Sequence, residues 1–420
     1  MQNLKDFEIN LCIHDNIYTD VQYCSFIRTP LTKLVSFCII KIVLPELQIL
    51  ELQSQISNNL FPELLLNIYT IPTSNTTSDT DVPELFFNKS LTCLSVSTNP
   101  IKLEQVTNIC TLILVHPITY YLFKNNTYNT ILENITGREV LDQFHNFLKD
   151  TFGDIFKFSF IGDNADQNTY RYEQILIKTK NDLIIPLYLI NNYNINNSIC
   201  FYFYDPFCIS QDNDKEIYCS YINLKDYKKS FEQIDTFKYA DTSLMINKNK
   251  TISIADLKNN IIDKNLNQFL FVHQDIKYRI GDKPTGQILK KSPSNVSDLD
   301  IIHDRKVKIV QNGMELLTNY NNSSAFTEVY CSDSLDNGQL RYNNAVEFYK
   351  NTIKEFVQYD FKNCIPDIFQ LGKLYNLDPE IPNYYFYTPI NIINCFIRKN
   401  LKEPYLTHMA KVLFLKYRNI

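Results

Sequence analysis

The closing eighty residues constrain the fold most. Residues 341–360 read as one capped amphipathic helix. Asn344 caps it with Glu347 three residues on, and Ala345, Val346, Tyr349, Ile353, Phe356 and Val357 share a face with no Pro or Gly between them. β-type segments dense in Ile, Phe and Tyr follow at 364–371, 384–399 and 405–417, with 400–404 as the turn between the last two. A helix crossing onto a small antiparallel barrel is a scaffold design, and the rest of the chain has to be compatible with it.

The first part of the chain reads the same way. Residues 1–115 form a β domain, with strands expected at 7–13, 34–44, 64–69, 91–97 and 107–115, all short runs of β-branched and aromatic residues. The 71–84 stretch, with Pro72, Pro83 and a Ser/Thr/Asn/Asp cluster, is a loop. Residues 45–59 fit either a strand or a short helix. His116-Pro117 breaks the pattern, because the residue before proline is pushed out of the helical region. Thr136 and Glu139 then form a Thr-x-x-Glu capping box, followed by one apolar stripe of Val140, Leu141, Phe144, Phe147, Leu148 and Phe152. Gly153 suits a left-handed C-terminal cap. Strands at 172–179, 183–190 and 199–204 are expected as a meander, with 180–182 as a turn and Asp205-Pro206 as its end. Residues 116–205 are therefore an inserted α+β domain. Residues 206–340 are a β-rich middle region, with strand candidates at 269–280 and 307–310 and polar connections at 281–298 and 332–339. Residues 341–420 complete a second barrel. The fold class is α+β, dominated by antiparallel β-barrels, with one helix-containing insert.

Composition excludes several functions. Of 420 residues, 45% are hydrophobic and 21% charged, so the chain can bury sizeable cores. The net charge of −5 is scattered, and short basic patches at 225–229 and 290–291 are flanked by acids, so no nucleic-acid footprint is present. The 28 Tyr and 28 Phe lack the interleaved Arg and Lys of a base-stacking platform, which leaves core packing as their use. The exception is the aromatic run 384–387, which fits an interface as well as a barrel core. Eleven Cys, an odd number with no Cys-x-x-Cys, indicate reduced, buried or partly buried thiols of a cytosol-like compartment. No signal peptide opens the chain, since Lys5, Asp6 and Glu8 interrupt any apolar start. The longest apolar run, 34–44, is broken by Lys41 and stopped by Pro45, too short to span a bilayer.

Candidate chemistry is sparse. Cys12, His14 and Cys24 could be imagined as metal ligands, but no second ligand pair accompanies them, so strand and loop side chains are the plainer account. His303-Asp304-Arg305 has the look of a kinase catalytic loop without its downstream Asn, Asp-Phe-Gly or Gly-rich loop. Asp212-Asn213-Asp214 starts like a calcium loop, but the sixth position is Ile217 rather than Gly. Cys200, Cys208 and Cys219 have no zinc spacing, and with eight Gly there is no phosphate cradle. The triplets at 88–90 and 134–136 match the glycosylation pattern by chance in an Asn-rich chain. No catalytic, cofactor-binding or metal-binding residue is assigned, and an enzyme is not expected.

Two stretches carry a family resemblance. HPITYYLFKNNTYNTILENITGREVLDQFHNFLKDTFG, residues 116–153, looks like the segment where the trimeric baseplate hub protein of contractile-tailed bacteriophages leaves its first tube-like barrel. RYNNAVEFYKNTIKEFVQYDFKNCIPDIFQLGKLYNL, residues 341–377, continuing through TPINIINCFIRKN and YLTHMAKVLFLKY, is similar to the hub's second barrel. The likeness covers about half the chain by pattern. Where the family often has a Pro-Gly turn, this chain reads Leu371-Gly372-Lys373-Leu374. The resemblance implies barrels of tail-tube type and a structural virion protein of the tail baseplate, made in the host cytoplasm. It also implies a homotrimer whose six similar modules join a six-fold tail tube protein to a three-fold central spike protein, with no cofactor. Two other classes remain as alternatives. A β-rich hydrolase would show titratable groups converging in a pocket, and a host- or receptor-binding module would show exposed aromatic loops.

Overall fold

The computed structural model describes residues 6–29, 35–71, 83–98, 107–161, 171–192, 200–208 and 217–223. It then describes separate strands between 235 and 332, and residues 355–362, 366, 369–376, 385–398 and 405–418. These residues are rich in β-strands with a few helices, and the sheets are largely antiparallel. The N-terminal strands are β1 (Asp6–Ile13), β2 (Asn16–Tyr18), β3 (Val21–Arg28), β4 (Phe37–Pro45), β5 (Glu63–Ile71), β6 (Glu84–Thr98) and β7 (Thr107–Val115). Their alternation is plain in β1, where Phe7, Ile9, Leu11 and Ile13 are buried, and in β4, where Cys38, Ile40, Ile42 and Leu44 are. Pairing runs β3-β4-β7-β6-β5-β1.

The circuit is completed from the far end of the chain. Strands Tyr385–Arg398 and Leu406–Arg418 form a long antiparallel hairpin. The first pairs with β3 from Ile392↔Arg28 to Ile397↔Tyr23, and the second meets β1 at the single registered pair Phe7↔Leu406. Closure is therefore uneven, broad on one side and narrow on the other. One core runs through this circuit and includes Phe26, Phe87, Phe207, Phe396 and Leu406.

The 45–59 segment is a helix, α1 (Glu46–Ser57). Pro45 supplies an extended entry with φ −61°, Glu46 favours the N-terminal end of the dipole, and Gln48, Ile49 and Leu52 form the buried face.

Further on come α2 (Pro117–Lys124), β8 (Thr130–Ile135), α3 (Gly137–Phe152), β9 (Phe156–Ile161), β10 (Tyr172–Ile177), α4 (Ile185–Asn192), β11 (Cys200–Asp205) and β12 (Ile217–Asn223). The capping box is present as expected. Thr136 Oγ1 accepts from Glu139 N at 3.1 Å, and Glu139 Oε2 accepts from Thr136 N at 2.9 Å. That backbone bond holds the Glu139 carboxyl below its usual range. Of the α3 stripe, Val140, Leu141, Phe144 and Leu148 are buried, and Phe147 and Phe152 pack at its margin. Gly153 ends the helix at φ 82°, ψ −166°, so glycine is needed but not for the left-handed helical cap expected. Thr136→Ala is expected to lower stability by about 1 kcal/mol in denaturant unfolding, leaving association intact.

The expected meander is corrected. Residues 183–190 are not a strand, because Asn181 Oδ1 caps a helical turn at Ile184 N (3.2 Å) and α4 follows. An apolar run of that length has no period that separates strand from helix. β10 pairs β8, while β11 pairs β12, which runs parallel to β9. β2, β3, β8 and β9 were not expected from the sequence.

The closing segment is corrected too. Residues 355–362 are a strand, Glu355–Lys362, not the end of a helix, and 341–354 lie outside the described residues. Val357, Tyr359 and Phe361 alternate with Gln358, Asp360 and Lys362, a two-residue period that pairing with Leu406–Arg418 exploits. No strand covers the described part of 364–371; Leu371 and Gly372 form a turn, with Gly372 at φ 76°. The hairpin strands match expectation to within a residue, and the 400–404 turn lies outside the described residues. In the middle region, Lys277–Asp282, Ile288–Lys291 and Thr327–Ser332 form a three-stranded sheet, so the 281–298 stretch is not a plain connection.

Candidate functional site

Among the described residues, a buried polar clamp joins three distant parts of the chain. Arg28, the last residue of β3, is fully buried. Its Nε donates to Asp205 Oδ2 and Oδ1 at 3.0 and 3.2 Å, its Nη2 to Asp205 Oδ2 at 2.6 Å, and its Nη1 to the Phe369 carbonyl at 3.2 Å. Asp205 Oδ1 also accepts from Phe207 N at 3.2 Å. Burial works to lower the Arg28 pKa, but Asp205 and the hydrogen bonds outweigh it and the net direction is up. The clamp thus ties β3, the end of β11 and the turn before the terminal hairpin with one guanidinium. Beside it, buried Lys89 donates to the Pro206 carbonyl at 2.9 Å and lies 5.7 Å from the Phe87 ring centroid. Burial, then Lys89, pushes the His116 pKa down to about 3. A neutral His116 is what α2 requires, since its Nδ1 accepts from Ile118 N.

A second latch holds the insert. Asp182, buried, accepts from Thr127 N at 3.0 Å, Thr127 Oγ1 at 2.6 Å and Tyr128 N at 2.9 Å. The sequence showed it only as part of a turn. Nearby, His145 of α3 shares a 3.0 Å hydrogen bond with Tyr202 and stacks on Phe158 at 3.9 Å. Burial, then Arg138 and Lys149, lowers its pKa from 6.5 to about 3. Folded His145 stays neutral while the unfolded chain takes up a proton below pH 6.5. Its contribution is therefore complete above that pH and erodes as pH falls toward 3. Wild type should lose about 2 kcal/mol more than His145→Gln between pH 6 and 4, a difference that denaturant titrations at both pH values would measure.

A cleft of about 480 Å³ lies where the end of α1 and the start of β5 meet α2, lined among others by His14, Leu60, Phe61, Tyr120 and Lys124. Phe61 and Tyr120 stand 5.0 Å apart and Lys124 lies over the Tyr120 ring. Its acid and base are turned to separate partners: His14 Nε2 lies 3.3 Å from Glu51, and Glu63 accepts from Ser90 at 2.9 Å. That gives an apolar floor without a nucleophile aligned to a base.

Cys12, His14 and Cys24 fall in three environments. Cys12 accepts from Asn67, His14 faces Glu51, and Cys24 lies 3.8 Å from Cys38 in the core. Among the described residues no group of three or more His, Cys, Asp or Glu is placed to hold a metal. The described cysteines are free thiols, and all but Cys12 are buried. Asp212-Asn213-Asp214 and His303-Asp304-Arg305 lie outside the described residues. Of the 384–387 run, Tyr387 is a core residue packed on Phe414 and Tyr359. No helix among the described residues is long and apolar enough to cross a membrane.

No protein-family model matches the chain, and no curated protein is similar to it in sequence. Solved structures to which it is similar include phage tail proteins and a type VI secretion component. The tail protein from Neisseria meningitidis MC58 is 8% identical, with 97% of this chain and 96% of that one covered and a TM-score of 0.49. The 43 kDa tail protein of prophage MuSo2 from Shewanella oneidensis is also 8% identical, covering 98% and 99%, with a TM-score of 0.47. The E. coli c3393 protein, a component of the type VI secretion system with structural similarity to the T4 tail proteins gp27 and gp5, is 9% identical, covering 97% and 76%, with a TM-score of 0.44. At such identities and scores, likeness is too slight to carry a function.

Proposed function

We propose that this chain is a structural subunit of a phage tail or a related injection machine, a non-enzymatic baseplate hub protein. Three copies would join a six-fold tail tube protein to a three-fold central spike protein in the virion, after synthesis in the host cytoplasm. The observation that carries this reading is the terminal hairpin. One half of it, with Phe396 and Leu406, belongs to the N-terminal core. The other half, with Tyr387 and Phe414, builds a separate aromatic cluster with Tyr359, Phe361 and Phe369. A pair of strands shared by two cores supports two barrel modules held at a fixed angle, residues 1–115 with one half and 341–420 with the other. Residues 116–205 are then an insert and 206–340 a β-rich middle region, whose strands Ile254–Asp256 and Lys308–Gln311 pair with Glu355–Lys362. Three such copies present six modules, which is the symmetry match a hub needs.

Light scattering across a range of concentrations tests the reading. A trimer, with six densities in a ring on imaging, is the expected result. A monomer at the highest concentration reached would overturn it.

A further inference from the structure

Two outward faces carry exposed aliphatic side chains with opposite charges around them. On α1, Leu47 and Leu50 are 80% and 55% exposed. They are one helical turn apart, and Glu46 and Glu51 share their side of the helix, four residues from Leu50 and Leu47 respectively. Both glutamates are exposed, Glu51 also lying 3.3 Å from His14 Nε2 and accepting from Gln48 at 3.2 Å, and the opposite side of α1 is buried, so the orientation is fixed. On the two-stranded ribbon β8–β10, Ile131 and Leu176 stand directly opposite each other in register and are 60% and 49% exposed. Alternation continues past the strand: Ile177 is buried, Lys178 exposed, Thr179 buried, Lys180 exposed. Two exposed lysines therefore follow directly on the strand that carries Leu176. At the other end Glu133 is held by Gln174 at 3.0 Å.

Isolated exposed leucines need no explanation, whereas adjacent ones rimmed by charge on an ordered face form the start of an apolar patch. We propose that the α1 face of one copy docks on the β8–β10 ribbon of the next, leucines on the Ile131/Leu176 pair, with Glu46 and Glu51 facing Lys178 and Lys180. The inference rests on the hub reading and names its self-contact. A second copy is the occupant because each face lacks what the other supplies, and both lie on this chain. The two faces are on different elements, so the contact is head-to-tail, and such a contact makes a ring where its rotation closes, as a three-fold hub requires, and an open filament where it does not. Charge complementarity of this kind sets register and encounter rate, which makes association salt-sensitive.

Charge reversal tests it on the full chain. Glu46→Lys with Glu51→Lys, and separately Lys178→Glu with Lys180→Glu, change exposed side chains; Glu51→Lys also releases the half-exposed contacts to His14 and Gln48, a small loss at a solvated site. Each pair should weaken trimer formation by about tenfold or more, and the fourfold variant should restore it. Trimerisation of either pair at the wild-type level, or no rescue in the fourfold variant, overturns this contact while leaving the hub reading standing. A wild-type chain that stays monomeric overturns both.

Discussion

Arg28→Ala is expected to lower stability by about 3–5 kcal/mol, the range for removing one partner of a buried ion pair. The reason is not the loss of attraction alone. Asp205 would remain buried at the end of β11 with one backbone donor, Phe207 N, in place of the guanidinium's three contacts. The Phe369 carbonyl would lose its donor as well. Because Arg28 reaches partners 177 and 341 positions away, the variant should also uncouple regions that otherwise unfold together. Denaturant unfolding followed by tyrosine fluorescence and by hydrogen exchange at residues 369–376 would register both effects, as a lower midpoint and as transitions that no longer coincide. The double change Arg28→Met with Asp205→Leu removes both charges and should cost less than either single change, since desolvation of an ion pair offsets much of its attraction. If Arg28→Ala cost under about 1 kcal/mol, the clamp would be no joint at all. A joint there matters to the proposed hub, because two barrel modules meeting at a loose angle could not form a regular six-membered ring.

How much of this was legible in the sequence follows from which signals are local. Five of the N-terminal strands, the Thr136–Glu139 box and the terminal hairpin were readable because period and cap chemistry lie within a few residues, whereas β2 and β3 were not read. The 183–190 stretch misled because a continuous apolar run has no period. Residues 355–360 misled differently: Phe356 and Val357 satisfy a helical face, while Val357, Tyr359 and Phe361 satisfy a strand face, and pairing with the hairpin decides between them. The clamp was out of reach. Arg28 ends a strand, and Asp205 before Pro206 looked like a chain break. Their meeting depends on tertiary closure that no local pattern encodes. Asp182 was hidden likewise, since a turn Asp and a buried latch have the same neighbours in sequence. The exposed pair Ile131 and Leu176 was invisible for a related reason, because its meaning arises only when β8 and β10 are placed in register.

Phe144→Asp is expected to unfold the 116–205 region. Phe144 sits in the middle of α3, buried, with Tyr128 at 5.4 Å and Phe147 at 6.1 Å between ring centroids. Losing the ring alone has the scale of a large core truncation, about 3–5 kcal/mol. An aspartate would add the penalty of a polar group with no partner among the Leu, Val and Tyr side chains of that core. The carboxyl would escape only by protonating or by opening the helix, and at neutral pH opening is the easier route. The sum is on the order of the whole stability of a small domain. Limited proteolysis should then cut within 116–205, with the far-ultraviolet helical signal falling. Phe147→Asp, at the margin of the same core, should be milder. A soluble Phe144→Asp protein resistant to protease would mean the α3 stripe does not hold this core. If the core does open, β8 and β10 lose the helix they pack near, and the ribbon carrying Ile131 and Leu176 goes with them. Association should then fail even though the α1 face is untouched, while Thr136→Ala, which weakens the same helix only at its first turn, should leave it in place.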